Sequence, residues 1–245
     1  ALAISTKIFG ENHPETAKFL NNVGHELSAL DNHPLALEYT LKALDICTRK
    51  LGENHPLTAT CLNNIGCEYA ILGNHPLALK YYLKALAIIM SKFGESHPDT
   101  ATLLYTVGNE FGELNDHKNA LDYLLKALKL CLSIFGENHP ITSSSYNNIG
   151  FEYSVLNDHK NALKYHLKAL EIKKRIFGDN HTYTTSALNK VGDEYEALGD
   201  HDKALEHYLK ALEITTRTLG ESHPDTATLL NNVGAVYKNL GNHDK

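Results

Sequence analysis

The chain has 245 residues, 42% of them hydrophobic and 21% charged, with a formal net charge of −6. That is the composition of an ordinary soluble protein, outside the disordered and collagen-like ranges. No basic stripe of the kind nucleic-acid binders carry is present, and no apolar run approaches the roughly 20 residues a membrane-spanning helix needs. Neither nucleic acid nor a membrane is therefore expected as a partner.

No signal peptide is evident. The four cysteines, Cys47, Cys61, Cys67 and Cys131, show no CxxC spacing. They read as small buried apolar side chains in a reducing, cytoplasmic compartment, with no metal, cofactor or redox role. The chain opens at Ala1 and its single methionine is Met90, which suggests a piece of a longer protein.

A period of 42 residues dominates. FGENHP at 9–14 returns as LGENHP at 51, FGESHP at 93, FGENHP at 135, FGDNHT at 177 and LGESHP at 219. Gly24, Gly66, Gly108, Gly150, Gly192 and Gly234 keep the step, as do His33, His75, His117, His159, His201 and His243. Such self-similarity marks a repeat architecture. One continuous array of about six repeats is expected: 1–9 as part of a second helix, full repeats at 10–51, 52–93, 94–135, 136–177 and 178–219, and 220–245 with a first helix only.

Each repeat reads as two helices. In the first copy helix A runs from about Pro14 to Leu30, since proline suits a first turn and Ala17, Leu20, Gly24 and Leu27 form one apolar stripe. Phe19, Val23 and Leu30 make a second line, suited to a neighbouring repeat. A break at Asp31-Asn32-His33 follows, where Asn32, Asp116 and Asp200 are natural N-caps. Helix B carries Ala36, Leu37, Tyr39, Leu41, Ala43, Leu44 and Ile46 and ends near Leu51. Gly52 then supplies a left-handed stop. The Phe or Leu before that glycine (Phe9, Leu51, Phe93, Phe135, Phe177, Leu219) is expected to plug the core between repeats. Gly24, Ala36 and Ala43 sit where helix axes must come close.

These residues resemble the tetratricopeptide repeat family. The family pattern of a large apolar residue, an apolar-Gly pair and an aromatic on helix A is met by Leu62, Ile65-Gly66 and Tyr69; its Gly turn and the Ala, aromatic, Ala series on helix B are met by Gly73, Ala78, Tyr82 and Ala85. The period is eight residues longer than usual and the proline that normally ends helix B is missing. The longer repeat is similar to that of kinesin light chains and nephrocystin-like proteins. The resemblance implies an all-α fold, an α-α superhelix of stacked helix pairs, whose concave groove is lined by helix A and binds protein or peptide.

The groove arc of helix A carries an unusual Asn pair. Asparagine is a mediocre helix former because its amide competes for backbone hydrogen bonds. Along the array the first position reads Asn21, Asn63, Tyr105, Asn147, Asn189 and Asn231, and the second Asn22, Asn64, Thr106, Asn148, Lys190 and Asn232. A ladder of amides could grip the backbone of a peptide, since each offers donors and an acceptor. The resemblance implies this use. Equally, the amides could bond one another and fix repeat geometry, and both readings stand. One turn along, the varied position His25, Cys67, Asn109, Phe151, Asp193 and Ala235 fits either ligand choice or surface drift.

Twelve of the fifteen histidines fall in two periodic classes, typified by His13 and His33. Their spacing suits loop or capping roles better than a shared metal. Glu26, Glu68, Glu110, Glu152 and Glu194 recur, with Val236 in the sixth place, and a half-buried carboxylate there needs a donor that would fix the registry between repeats. No Ser/His/Asp arrangement, phosphate-cradling loop or carboxylate pair emerges, so no enzyme and no catalytic residue is expected. Bare apolar ends suggest, as an alternative, a structural array that associates head to tail into a homo-oligomer.

Overall fold

The computed structural model describes residues 2–241, with side chains from residue 4 on. His243 and Lys245, counted above with the periodic positions and the end of the last repeat, lie outside the described residues. Twelve helices and no strand occur among the described residues. They are α1 (Leu2–Phe9), α2 (Pro14–Ala29), α3 (His33–Leu51), α4 (Pro56–Ile71), α5 (His75–Phe93), α6 (Pro98–Glu113), α7 (His117–Ile134), α8 (Pro140–Val155), α9 (His159–Phe177), α10 (Thr182–Ala197), α11 (His201–Leu219) and α12 (Pro224–Asn239). The even-numbered helices from α2 on are the A helices of the repeats. Two compact units result, Ala1–Leu130 and Cys131–Lys245.

Within each unit a helix A packs on its own helix B and on the helix B before it. Small residues permit the first contact. Ala36, Ala43, Ala78, Ala85, Ala162, Ala169, Ala204 and Ala211 are fully buried. A Cβ on Gly66 would lie 2.6 Å from the Tyr82 ring, and one on Gly192 2.5 Å from that of Tyr208. The core of the first unit gathers Leu62, Tyr82, Leu86, Ile89, Leu103, Leu104 and Val107. That of the second gathers Leu170, Leu188, Val191, Tyr208, Ile214 and Val233. Stacked rings reinforce the pairs: Tyr69 on Tyr81, Phe111 on Tyr123 and Tyr153 on Tyr165, with centroids 5.3–5.5 Å apart.

The turn from A to B closes as a Schellman motif. The amide of Asn32 donates to the Leu27 carbonyl and that of Asp31 to Ser28. Residue 31 and its equivalents Gly73, Asn115, Asn157 and Gly199 all have positive φ, between 58° and 78°. Only Gly, Asn and Asp occur there, the residues that tolerate a left-handed backbone.

Several local expectations need correction. Helix A stops at Ala29, one residue early, and Leu30 is 76% exposed instead of packing on a neighbour. Asn32 makes no side-chain cap, whereas Asp116 and Asp200 do, accepting from the amides of Asn119 and Lys203. Gly52 has φ 92° and ψ 163°, a glycine-only region but not the left-handed helical one. Phe9, Phe93, Phe177 and Leu219 do not plug the core; they are 37–48% exposed. The phenyl rings instead stack on the histidine four residues later, Phe9 on His13, Phe93 on His97, Phe135 on His139 and Phe177 on His181.

Candidate functional site

The outward side of helix A carries the Asn pairs. Asn21, expected to line the groove, is 5% exposed. The reason is that α2 and α4 touch directly, and the Asn64 amide Nδ2 donates to Asn21 Oδ1 at 3.1 Å. In the second unit Asn232 Nδ2 donates to Asn189 Oδ1 at 3.0 Å in the same way. The second Asn of one repeat thus clasps the first Asn of the repeat before it. Within a repeat, Asn63 Nδ2 donates to Asn64 Oδ1 at 3.4 Å and Asn147 Nδ2 to Asn148 Oδ1 at 3.2 Å. Where the second position is Thr106, the short hydroxyl turns back to the Thr102 carbonyl and no clasp forms.

The remaining expected positions are accessible to different degrees. Asn22, His25, Phe151, Lys190 and Asn231 are exposed; Asn63, Asn64, Tyr105, Asn109, Asn147, Asn148, Asn189 and Asn232 are half-buried. Phe151 is the large apolar side chain of this set, 49% exposed. Lys190 lies 3.4 Å from Asp193, and Asp193 Oδ1 accepts the Tyr208 hydroxyl at 2.9 Å. The varied position is therefore partly structural, since it answers the helix B residue beneath it.

Between successive A helices lies a cavity of about 210 Å³ in the first unit, walled by Thr60, Asn63, Asp99 and Thr102 over Ala59, Ile89 and Leu103. The second unit has one of about 200 Å³ at Thr185, Ser186, Asn189, Thr215, Asp225, Thr228 and Leu229, joined by Thr182, Lys190 and Leu219. Each of the seven residues in the first cavity has its counterpart in the second exactly three periods later. Only Asn63, Asn189 and Lys190 of these linings were expected. Thr60, Thr102, Asp99 and their counterparts were missed, although Thr60 stands one helical turn before Asn63 and shares its face.

The periodic histidines have structural work. His13, His55, His97, His139, His181 and His223 cap helix A, each Nδ1 accepting the amide two residues on at 3.0–3.3 Å. The second class reaches the next repeat: His33 Nδ1 lies 3.1 Å from Glu68 Oε2, His75 Nδ1 2.8 Å from Glu110 Oε1 and His159 Nδ1 2.9 Å from Glu194 Oε2. Burial pushes the Glu110 carboxyl above the usual carboxylate range, against the opposing pull of the His75 hydrogen bond. Where Val236 replaces the glutamate, His201 Nδ1 is left buried without a partner. Among the described residues no group of three or more His, Cys, Asp or Glu side chains is placed to hold a metal ion.

A double-mutant cycle on His75 and Glu110 should give a coupling energy of about 1 kcal/mol or more by urea unfolding at neutral pH, because loss of the histidine strands the buried Glu110 carboxyl. Strictly additive losses would show that the contact fixes nothing.

A tetratricopeptide repeat family model matches residues 19–88, 69–133, 114–174, 145–214 and 184–245, which together span most of the chain. The chain belongs to the tetratricopeptide repeat family. No curated protein matches this tetratricopeptide repeat chain by sequence. Solved structures do match in fold. The nearly identical TPR-like repeats of a Podosopora anserina protein assigned as a kinesin light chain superpose with a TM-score of 0.74 at 15% identity, covering 84% of this chain and 98% of that one. BtubC (BKLC) from P. vanneervenii gives 0.69 at 20% identity over 94% and 84%. A STAND signal transduction ATPase with a tetratricopeptide repeat sensor, from Pyrococcus horikoshii, gives 0.80 at 21% identity over 98% of this chain but 35% of that one. The tetratricopeptide repeats make the chain a protein-interaction scaffold in the general sense, of a family that is generally non-enzymatic. Among its described residues no helix is long and apolar enough to cross a membrane.

Proposed function

We propose that this scaffold holds a partner peptide against the outward face of its A helices, in the cytoplasm. The observation that carries the reading is the cavity between successive A helices, which recurs with the same seven positions in both units. Its rim offers amide, hydroxyl and carboxylate groups, over a floor of Ala59, Ile89 and Leu103 in the first unit and of Thr185, Thr215 and Leu229 in the second. That combination suits an extended peptide whose backbone meets Asn63 or Asn189 and whose side chain enters the cavity. Asn22, His25, Asn64, Tyr105 and Asn109 complete the proposed face of the first unit, and Asn147, Asn148, Phe151, Lys190, Asn231 and Asn232 that of the second. Asn21 contributes by holding α2 to α4.

Peptides selected from a phage-displayed library on the whole chain test this. The variant T102R/T228R alters two exposed rim residues and should keep its helical circular dichroism while losing at least tenfold in affinity for those peptides. Equal binding to the folded variant would sink the reading. A second reading, head-to-tail self-association, draws on Ile4 and Ile8 of α1, 63% and 66% exposed, and Leu230 of α12, 52% exposed. Light scattering over a range of concentrations separates the two; a strict monomer at high concentration eliminates association.

A further inference from the structure

Two thiols meet at the seam between the first two helix pairs. Cys47 lies on α3 and Cys61 on α4, with sulphurs 3.9 Å apart. Both are fully buried, in a cluster with Ala17, Leu20, Ala43 and Ile46. The corresponding pairs, also 14 residues apart, are Ile89–Leu103, Cys131–Ser145, Lys173–Ala187 and Thr215–Leu229. The seam position is thus free to vary, and at one seam it holds sulphur on both sides. We propose that Cys47 and Cys61 form a reversible disulfide, produced by a hydroperoxide, that covalently ties the first helix pair to the second.

The pair is already at van der Waals contact, and rotation about the side-chain bonds has to close it to the roughly 2.05 Å of a disulfide. Cys47 is the first thiolate: the hydrogen bond from Cys61 draws its pKa down, with a smaller contribution from Lys18, whereas the same contact and burial push the Cys61 thiol up. Thiolate is the reactive form. The Cys47 thiolate attacks one peroxide oxygen and the O–O bond breaks. Sulfenic acid forms at Cys47, and the hydroxide released from hydrogen peroxide takes a proton to become water. The Cys61 sulphur, giving up its proton, then attacks the Cys47 sulphur. The S–S bond forms and a second hydroxide leaves as water. Two thiols lose two electrons and two protons, and one peroxide takes them up to become two waters. Access comes from local opening of the seam, since each helix pair in such a stack is held only by its neighbours. Disulfides that form transiently are the kind compatible with a reducing compartment.

The test uses the whole chain, reduced, exposed to hydrogen peroxide, alkylated and mapped by mass spectrometry. The expected result is a cross-linked pair of peptides containing Cys47 and Cys61, lighter by two hydrogens and restored by dithiothreitol, with Cys67 and Cys131 still alkylated. The C61S variant reproduces the Cys131–Ser145 pairing that the fold already accommodates. It should give no cross-link and a dimedone adduct at Cys47. Retention of alkylatable Cys47 and Cys61 under peroxide that oxidises Cys67, or their conversion to sulfinic acids without a cross-link, overturns the proposal. The wild-type map decides between these results even if the variant does not fold.

Discussion

Replacing His166 with leucine is expected to remove an acid-dependent loss of stability on the order of 3 kcal/mol between pH 6.5 and pH 4. His166 sits on α9 beneath Gly150, 1% exposed, and its Nδ1 has no hydrogen-bond partner. Its Nε2 is 3.9 Å from Glu194 Oε1, too far to bond, and Glu194 is already taken by His159. Burial lowers the imidazole pKa from 6.5 to about 4, and Lys190 and Lys173 push the same way. The unfolded chain therefore takes a proton as pH falls below 6.5, while the folded chain resists until about pH 4. The stability is present above 6.5 and is lost as pH falls toward the folded value. Leucine fits, because Leu124 holds the equivalent place beneath Gly108. It also removes a buried unsatisfied nitrogen, so the variant should gain about 1–3 kcal/mol at neutral pH. Urea unfolding of both proteins from pH 7 to pH 4 gives the answer; parallel pH profiles would eliminate His166 as the cause.

A single methyl group should have opposite effects at two equivalent glycines. Gly66→Ala drives a Cβ to 2.6 Å from the ring of Tyr82, which is itself buried in the core. Overpacking of this kind costs about 1–3 kcal/mol. The gain in helix propensity returns about 1 kcal/mol, leaving a net loss of up to about 2 kcal/mol. Gly234→Ala meets nothing within 4 Å and keeps the propensity gain, so it should stabilise by up to about 1 kcal/mol. Chemical denaturation of the two variants settles the matter. Equal effects at both sites would mean that the glycine is not there for close approach.

Much of this was legible in the sequence. The 42-residue period gave the helix pairs, and the register of Gly24, Ala36 and Ala43 gave their tight contact. The Glu68 class was read as a carboxylate in need of a donor, and the histidine that supplies it stands 35 residues earlier. What escaped the sequence depended on neighbours. A helical wheel places Asn21 outward, but it does not show that α4 lies against that side. Phe9 looks like a core residue by type, yet the capping histidine four residues on offers its ring a partner at the surface. The cavity rim escaped because Thr60 and Thr102 lie on different helices, brought together by repeat packing.

The uneven distribution of amide clasps gives the first unit a gradient of stiffness. The seam between α2 and α4 is tied by Asn64 to Asn21, whereas at the seam between α4 and α6 Thr106 bonds back to its own helix; the histidine–glutamate contact is present at both, as His33–Glu68 and His75–Glu110. Bending strain should concentrate at the joint that lacks the amide clasp, beside the cavity of the first unit. A peptide bound as proposed would widen or narrow its berth by flexing one joint, leaving the clasped one beside it undisturbed.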